Sequence, residues 1–203
     1  MTARNIAIAS VPVLAAIPIA ATIWLQLKRH DFSRRVLIKT QVGARIPSAE
    51  DVKSLPQKLY DECDKWVLSI ERASKTIHAS ELPLDMSSDA MLVKYLRANM
   101  ISFTYTPQAP LLRRMCGSPD AKATFEHTYL QKLNFDVGDR VCGVFTVVLR
   151  EDGRIEMAMD PPAEWTGPKG GEGRLVARLE RRGDDVVFFN GEPVISSTSI
   201  NLG

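Results

Sequence analysis

The sequence lacks every local motif that marks a common enzyme class. It contains no glycine-rich dinucleotide or phosphate-binding loop, no His-Glu-x-x-His, no Cys-x-x-Cys and no Gly-x-Ser-x-Gly. Histidine and cysteine are scarce, with three of each in 203 residues, whereas a metal site needs three or four converging ligands. The motifs therefore name no reaction, and neither a cofactor nor a metal is predicted.

The cysteines and the lack of glycosylation sites indicate a reducing compartment. Cys63, Cys116 and Cys142 cannot all pair within one chain, and no Asn-x-Ser/Thr acceptor occurs. Cys142 is predicted to be a small buried residue in the middle of a strand. Cys116, which precedes Gly117 at a helix end, is predicted to be the more exposed thiol.

Charge is absent from Ile6 to Leu27, a segment of 22 residues. At about 1.5 Å per residue, a helix of this length covers about 33 Å, which is enough to cross the hydrocarbon of a bilayer. The segment is therefore predicted to be a transmembrane helix, preceded by a tail over residues 1–5. A cleaved signal peptide is the alternative, because Arg4 gives a basic start and Ala20-Ala21 offers small residues for cleavage.

The flanks of this segment predict a single-pass topology with the soluble part in the cytosol, on an internal membrane such as the endoplasmic reticulum. One basic residue precedes the segment, and six follow it before residue 46. Residues 28–46 are predicted to be a basic linker that contacts anionic lipid headgroups. The predicted membrane-flanking residues are Trp24, Lys28, Arg29, Arg34 and Arg35.

Residues 47–195 are predicted to form one soluble domain that begins with helices. Capping serines and prolines predict helices over about 56–64, from Ser87 to about Asn99, and from Ser118 to about Lys132. Pro107 and Pro110 bound a predicted loop, followed by one helical turn over 111–115. Residues 65–71 fit a strand or a helix, and the pattern leaves both open.

The period changes to two after residue 138, which predicts an antiparallel sheet. A hairpin is expected from strands 140–150 and 154–159 joined by Glu151-Asp152-Gly153. Strands over 174–182, 186–190 and 194–195 follow, with turns at 183–184 and at Asn190-Gly191. The prediction is an α+β fold, with helices packed on at least four antiparallel strands. Residues 196–203 are predicted to be an unstructured tail.

Three polar residues are the candidates for acid–base chemistry. His127 follows Glu126 on the helix predicted from Ser118, with Tyr129 nearby and Asp139 just before the first hairpin. A surface Glu and His beside a buried Phe125 is the alternative, because adjacent helix positions point about 100° apart.

Three aromatic residues, Phe125, Phe145 and Trp165, are the candidates for binding an apolar ligand. Trp165 lies in a long loop, rich in proline and glycine, between two predicted strands. Long loops over a sheet often act as lids. The alternative is an insertion in which Trp165 plugs the edge of the core.

A nucleic-acid partner is not expected. Residues 139–192 carry eight Lys or Arg against eleven Asp or Glu, a net charge of −3, and a phosphate-binding surface needs the opposite sign.

The stretch from Phe125 to Val194, with LNFDVGDRVCG before the first hairpin, resembles a group of uncharacterised filamentous-fungal proteins. Members of that group have an N-terminal membrane helix, and some are linked to secondary-metabolite gene clusters. The resemblance implies no catalytic residue. It also implies a shortened C-terminus, since such proteins continue into another amphipathic segment.

These observations predict a membrane-tethered, non-catalytic domain that binds an apolar small molecule or supports a biosynthetic assembly, with membrane lipid and other membrane enzymes as partners. A small accessory enzyme of cyclase or isomerase type is the second hypothesis. A structural subunit of a membrane complex is the third.

Overall fold

The computed structural model describes residues 37–42, 52–57, 61, 66–83, 85–166 and 171–197. The chain divides into two compact units, 1–37 and 38–203, and every described residue except Leu37 belongs to the second. The predicted transmembrane segment 6–27 lies outside the described residues, as do its flanking residues and residues 198–203 of the predicted tail. Among the described residues, no helix has the length and apolar character needed to cross a bilayer.

The described strands form one sheet of seven in the order β1-β2-β7-β6-β5-β4-β3. Along this order from β2 to β3, each strand pairs antiparallel with the next one. The strands are β1 Leu37–Val42, β2 Trp66–His78, β3 Arg140–Val141, β4 Phe145–Glu151, β5 Arg154–Met159, β6 Gly171–Arg182 and β7 Asp185–Ser197. The described helices are α1 Ser88–Thr104, α2 Gln108–Met115, α3 Pro119–Ala123 and α4 His127–Leu130. The predicted α+β class and the antiparallel sheet are confirmed.

The sheet is larger than the hairpin signals indicate. β1 lies within the predicted linker 28–46, and β2 resolves the ambiguity at residues 65–71 in favour of a strand. The predicted Asn190-Gly191 turn is wrong, because Gly191 lies inside β7 between Arg72 of β2 and Val176 of β6. Pairing with β2 along the whole of β7, and with β6 at Gly191, satisfies backbone groups that a turn would leave unpaired, so long-range pairing overrides the local turn preference.

The predicted strand 140–150 is interrupted by a tight turn. β3 folds back on β4, with Val141 opposite Phe145, and Cys142 and Gly143 have positive φ angles of 46° and 69°. Cys142 therefore lies in a turn rather than in mid-strand, although it is buried as expected. A Cβ on Gly143 would lie 2.5 Å from Sγ of Cys116, so this close approach requires glycine.

α1 ends later than predicted, and α2 begins earlier than predicted. Ser87 caps α1 as expected, accepting a hydrogen bond from the Ala90 N–H at 3.2 Å. The helix continues past Asn99 to Thr104 because the buried stripe extends to Met100. α2 begins at Gln108 and includes a proline that was expected to bound a loop. A proline in the first turn removes only a donor that has no partner within the helix.

The helix predicted from Ser118 to about Lys132 is broken into α3 and α4. Ser118 caps α3 as expected, but Glu126 is extended with a ψ of 136° and α4 starts at His127. Thr124 Oγ1 donates to the Ala121 carbonyl and accepts from the Gly143 N–H, both at 2.7 Å. The turn at Gly143 thus replaces helical continuation, and Phe125 and Tyr129 do not share one helix.

The two faces of the sheet have different coverings. Along β5, Ile155 and Met157 join the apolar core formed with the helices. Arg154 and Glu156 point to the other face, where Glu156 accepts hydrogen bonds from the backbone N–H groups of Lys53 and Ser54. Residues 52–55 therefore cover the sheet on the side away from the helices; they are called the covering segment below.

Candidate functional site

An open cleft of about 390 Å³ lies where the end of α1, the start of α2 and the α3–α4 junction meet. The short connection after α1 brings these parts together: Tyr105 N–H and Thr106 N–H donate to the carbonyls of Ser102 and Phe103, at 3.2 and 2.9 Å. This tight connection keeps α2 in contact with α1. The cleft falls within the size range of small-molecule sites, about 300–1,000 Å³. It is lined by Thr104, Tyr105, Ala109, Pro110, Arg113, Phe125, Glu126, His127 and Thr128.

The apolar side of the cleft consists of Phe125, Ala109, Pro110 and Tyr105. Phe125 and Ala109 are buried and belong to the core, so this wall is held by the packing of the domain. Tyr105 lies at the edge with 75% of its surface exposed. Its ring therefore adds accessible aromatic surface to the edge of the cleft.

The hydrogen bonds around His127 assign its tautomer. Thr104 Oγ1 donates its single proton to the Ile101 carbonyl at 2.7 Å. The same oxygen lies 2.8 Å from Nε2 of His127, so Nε2 must carry the proton and donate to Thr104. In the neutral ring Nδ1 then has a lone pair, and His127 is one of the residues that line the cleft.

The charges that line the cleft compensate each other. Arg113 of α2 forms an ion pair with Glu126 at the start of α4, and both side chains are about half exposed. Glu126 is therefore directed to Arg113, while His127 is hydrogen-bonded to Thr104 and its ring lies edge-on to Tyr105, with centroids 5.1 Å apart. The adjacent Glu126 and His127 do not form an acid–base pair.

The other two predicted acid–base residues lie outside the cleft lining. Tyr129 donates its phenolic hydrogen to the Arg140 carbonyl at 2.8 Å, which attaches α4 to β3. Burial raises the pKa of Tyr129, and the charge of Asp139 raises it further. Asp139 accepts a hydrogen bond from the Asp136 N–H at 2.8 Å and closes the turn before β3. The structure therefore gives Tyr129 and Asp139 positions that hold the fold together.

Of the three predicted ligand-binding aromatics, Phe125 lines the cleft. Phe145 and Trp165 are partly buried and pack against the apolar core instead. The loop that carries Trp165 is fixed at its start, since Asp160 accepts hydrogen bonds from Arg140 Nη2 and Thr146 Oγ1 at 3.1 and 3.0 Å. Trp165 thus matches the alternative in which it plugs the edge of the core.

The two described cysteines are unsuited to nucleophilic chemistry. The prediction of an exposed Cys116 is wrong, because Cys116 and Cys142 are both 0% exposed. Burial raises the pKa of both thiols, and that of Cys142 to about 12, so both are protonated at neutral pH. Within the part of the chain that the structure describes, no three His, Cys, Asp or Glu side chains come together as metal ligands.

Comparisons with known protein families, with curated proteins and with solved structures find no significant match to this chain. Function is therefore inferred from the residues of the cleft. Sequence patterns pointed to Phe125 and His127 but missed Thr104, Tyr105 and Arg113. The exposed Tyr105, which lies between the end of α1 and Pro107, is the one local signal that could have indicated these three residues.

Proposed function

We propose that this protein is a membrane-tethered, non-catalytic α+β domain that binds an apolar small molecule in the cleft lined by Phe125 and His127. The observation that carries the proposal is the composition of this cleft, in which an apolar wall built on the core stands beside the polar side chains of Thr104, Arg113, Glu126, His127 and Thr128. Small-molecule sites typically combine these features. A place beside membrane enzymes of a biosynthetic assembly is proposed only from the resemblance to uncharacterised filamentous-fungal proteins, some of which are linked to secondary-metabolite gene clusters.

The binding test uses full-length protein in lipid nanodiscs, with naphthalene as the apolar probe. We expect naphthalene to change the NMR signals of the residues around the cleft. In the Thr128→Trp variant the added ring fills the cleft, so these changes should be lost. Lys132→Trp adds the same ring at an exposed position outside the lining and should leave them intact. Equal responses in wild type and Thr128→Trp would show partitioning into lipid alone.

The tether is tested separately, because it rests on the uncharged segment 6–27. We expect the full-length chain to stay with membranes after alkaline carbonate extraction. Replacing Leu14 and Ile17 by Lys should release it, since charged residues in the middle of a membrane helix are costly. A mature chain that lacks its first 21 residues by mass spectrometry would establish the signal-peptide alternative instead.

An accessory enzyme is the second candidate, and the lone pair on Nδ1 of His127 is the observation that favours it. A base at the cleft could abstract a proton from a bound molecule. Neither predicted partner is suited to this role, because Glu126 of the lining is paired with Arg113, and Tyr129 lies outside the lining with its hydroxyl bonded to a backbone carbonyl. The non-catalytic function therefore has the better support. Loss of product formation in His127→Ala with binding retained would reverse this preference.

A further inference from the structure

We propose that the cleft selects a neutral aromatic molecule that carries a hydroxyl group, and that His127 determines this choice by accepting the hydroxyl hydrogen at Nδ1. The inference rests on the proposed binding function and names the class of ligand that the same cleft takes.

The direction of the hydrogen bond follows from a chain of obligate roles. Thr104 Oγ1 lies 2.7 Å from the Ile101 carbonyl, which can only accept, and 2.8 Å from Nε2 of His127, so both contacts are hydrogen bonds only if the single hydroxyl proton goes to the carbonyl. Thr104 can then only accept from His127, and Nε2 of His127 is the donor. The remaining ring nitrogen is an acceptor, and it favours ligands that present a hydrogen-bond donor such as an O–H over ligands that present only a carbonyl or ether oxygen.

The charge of the ligand follows from the ion pair at the cleft. Arg113 and Glu126 are the lining residues with a permanent charge, and they neutralise each other. A charged ligand would have to break this pair or remain uncompensated beside it. A neutral ligand avoids both costs.

The aromatic character follows from the shape of the apolar wall. Tyr105 stands at the edge in an edge-on contact with His127, and Phe125 forms part of the buried wall. A flat ring can contact such groups by offset or edge-to-face packing, which adds to simple area burial. A saturated ring of the same size lacks this contribution.

Four probes separate these features in full-length protein held in nanodiscs: 1-naphthol, 1-methoxynaphthalene, naphthalene and decahydro-1-naphthol. Each probe is titrated into wild type and His127→Phe in the same lipid, so that partitioning into the membrane cancels in the ratio of apparent dissociation constants. We expect 1-naphthol to bind about five- to tenfold more weakly to His127→Phe, the effect of one lost hydrogen bond. The ratio for 1-methoxynaphthalene and naphthalene should be close to one. After correction for the partitioning of each probe into protein-free nanodiscs, decahydro-1-naphthol should bind wild type more weakly than 1-naphthol.

The tautomer is measured without any ligand, from the ¹⁵N chemical shifts of the His127 ring. We expect a protonated Nε2 and an unprotonated Nδ1. In Thr104→Val this preference should relax, and the selectivity for 1-naphthol should fall part of the way towards that of His127→Phe. A protonated Nδ1 in wild type, or equal ratios for 1-naphthol and 1-methoxynaphthalene, would overturn the inference and leave the binding function standing. If no probe perturbs the cleft while the tautomer is as assigned, the binding function itself is wrong.

Discussion

The two faces of the sheet are buried by opposite means. On the helix side, Leu96 of α1 and Ile155 and Met157 of β5 pack without polar atoms in the apolar core. On the other side, Glu156 is 0% exposed and accepts hydrogen bonds from Arg154 Nε at 2.7 Å and from Lys53 N–H and Ser54 N–H at 2.9 Å each. Both faces of β5 are buried. Burial on the helix side depends on the close packing of apolar side chains, whereas burial on the other side depends on hydrogen-bond geometry.

This difference teaches that an alternating strand need not have a solvated face. The alternation of RIEMAM in β5 is typical of a strand with one wet side, but the covering segment removes its charged residues from water. Arg174 of β6 also donates to the Ser54 carbonyl, from Nε and Nη2 at 3.2 Å each. The attachment of the covering segment therefore depends on buried charges, whose removal is costly when a partner stays behind.

The largest expected effect comes from breaking the charged face. Glu156→Ala removes the buried carboxylate that accepts hydrogen bonds from Arg154 and from two backbone N–H groups of the covering segment. We expect the free energy of unfolding to fall by about 3–5 kcal/mol, measured by urea denaturation. Glu151→Ala is the control, because it removes the other carboxylate that contacts Lys53. The side chains of Lys53 and Glu151 are each 44% exposed, so the free energy of unfolding should fall by less than about 1 kcal/mol.

A double variant identifies which contact of Glu156 matters most. Arg154→Leu with Glu156→Leu removes both charges, and the loss should be smaller than for Glu156→Ala if the buried charge of Arg154 is the main cost. An equal loss would assign the effect to the backbone N–H groups of Lys53 and Ser54. No loss in Glu156→Ala would contradict the comparison of the two faces.

A somewhat smaller effect is expected from breaking the apolar face. Leu96→Ala creates a cavity between α1 and the sheet and should cost about 3 kcal/mol of unfolding free energy. Leu111→Ala is the matched control, since Leu111 of α2 is 55% exposed and its replacement should change stability by about 0.5 kcal/mol or less. Similar losses in both variants would mean that the helix layer is not closely packed against the sheet.

A pH titration distinguishes the charged face from the apolar face, because the charged face contains a buried carboxylate that titrates, whereas the described residues of the apolar core include none. Burial by itself raises the pKa of Glu156, but the hydrogen bonds from Lys53, Ser54 and Arg154 outweigh it and lower the pKa below the ordinary 4.5. A lowered folded-state pKa stabilises the protein above pH 4.5, and this contribution is lost as the pH falls through the folded-state value.

The measurement compares urea unfolding of wild type, Glu156→Gln and Leu96→Ala between pH 7 and pH 3. Glu156→Gln should lose less stability on acidification than wild type, whereas Leu96→Ala should keep the wild-type slope. Parallel curves for wild type and Glu156→Gln would contradict a charged Glu156 in the folded state.

The smallest expected effect is on the apolar face, where neither buried cysteine should react with a thiol reagent. Burial raises the pKa of Cys116 and of Cys142, the latter to about 12. At pH 8 iodoacetamide should leave both unmodified in the folded protein, as shown by peptide mass mapping. The same protein in urea is the control and should be labelled at both positions. Labelling of Cys116 without denaturant would show that the apolar face opens locally.

Sequence patterns located the starts of α1 and α3 and the β4–β5 hairpin because their signals act over a few residues. Ser87 and Ser118 each accept a hydrogen bond from an N–H three positions later, which depends on little else in the chain. Gly153 has a φ of 67° and suits the predicted turn between β4 and β5. These features were predictable because the atoms that cause them are neighbours in sequence.

The candidate site was predicted only in part for the opposite reason. Phe125 and His127 were identified by type, but the threonine that assigns the His127 tautomer lies 23 residues away. The break of the predicted helix at Glu126 likewise depends on a hydrogen bond between Thr124 and Gly143, which are 19 residues apart. No spacing rule relates such residues until the chain has folded.

The sequence by itself determined the α+β class, the capped helix starts and the turn of the β4–β5 hairpin, because local backbone preferences and the apolar periodicity suffice for them. The tertiary structure alone decided the fold-back of β3 at Cys142, the continuation of β7 through Gly191, the burial of Glu156 and the cleft around His127. In each of these cases a hydrogen bond or strand pairing between distant residues outweighs a weaker local preference, and only the folded chain brings those groups together.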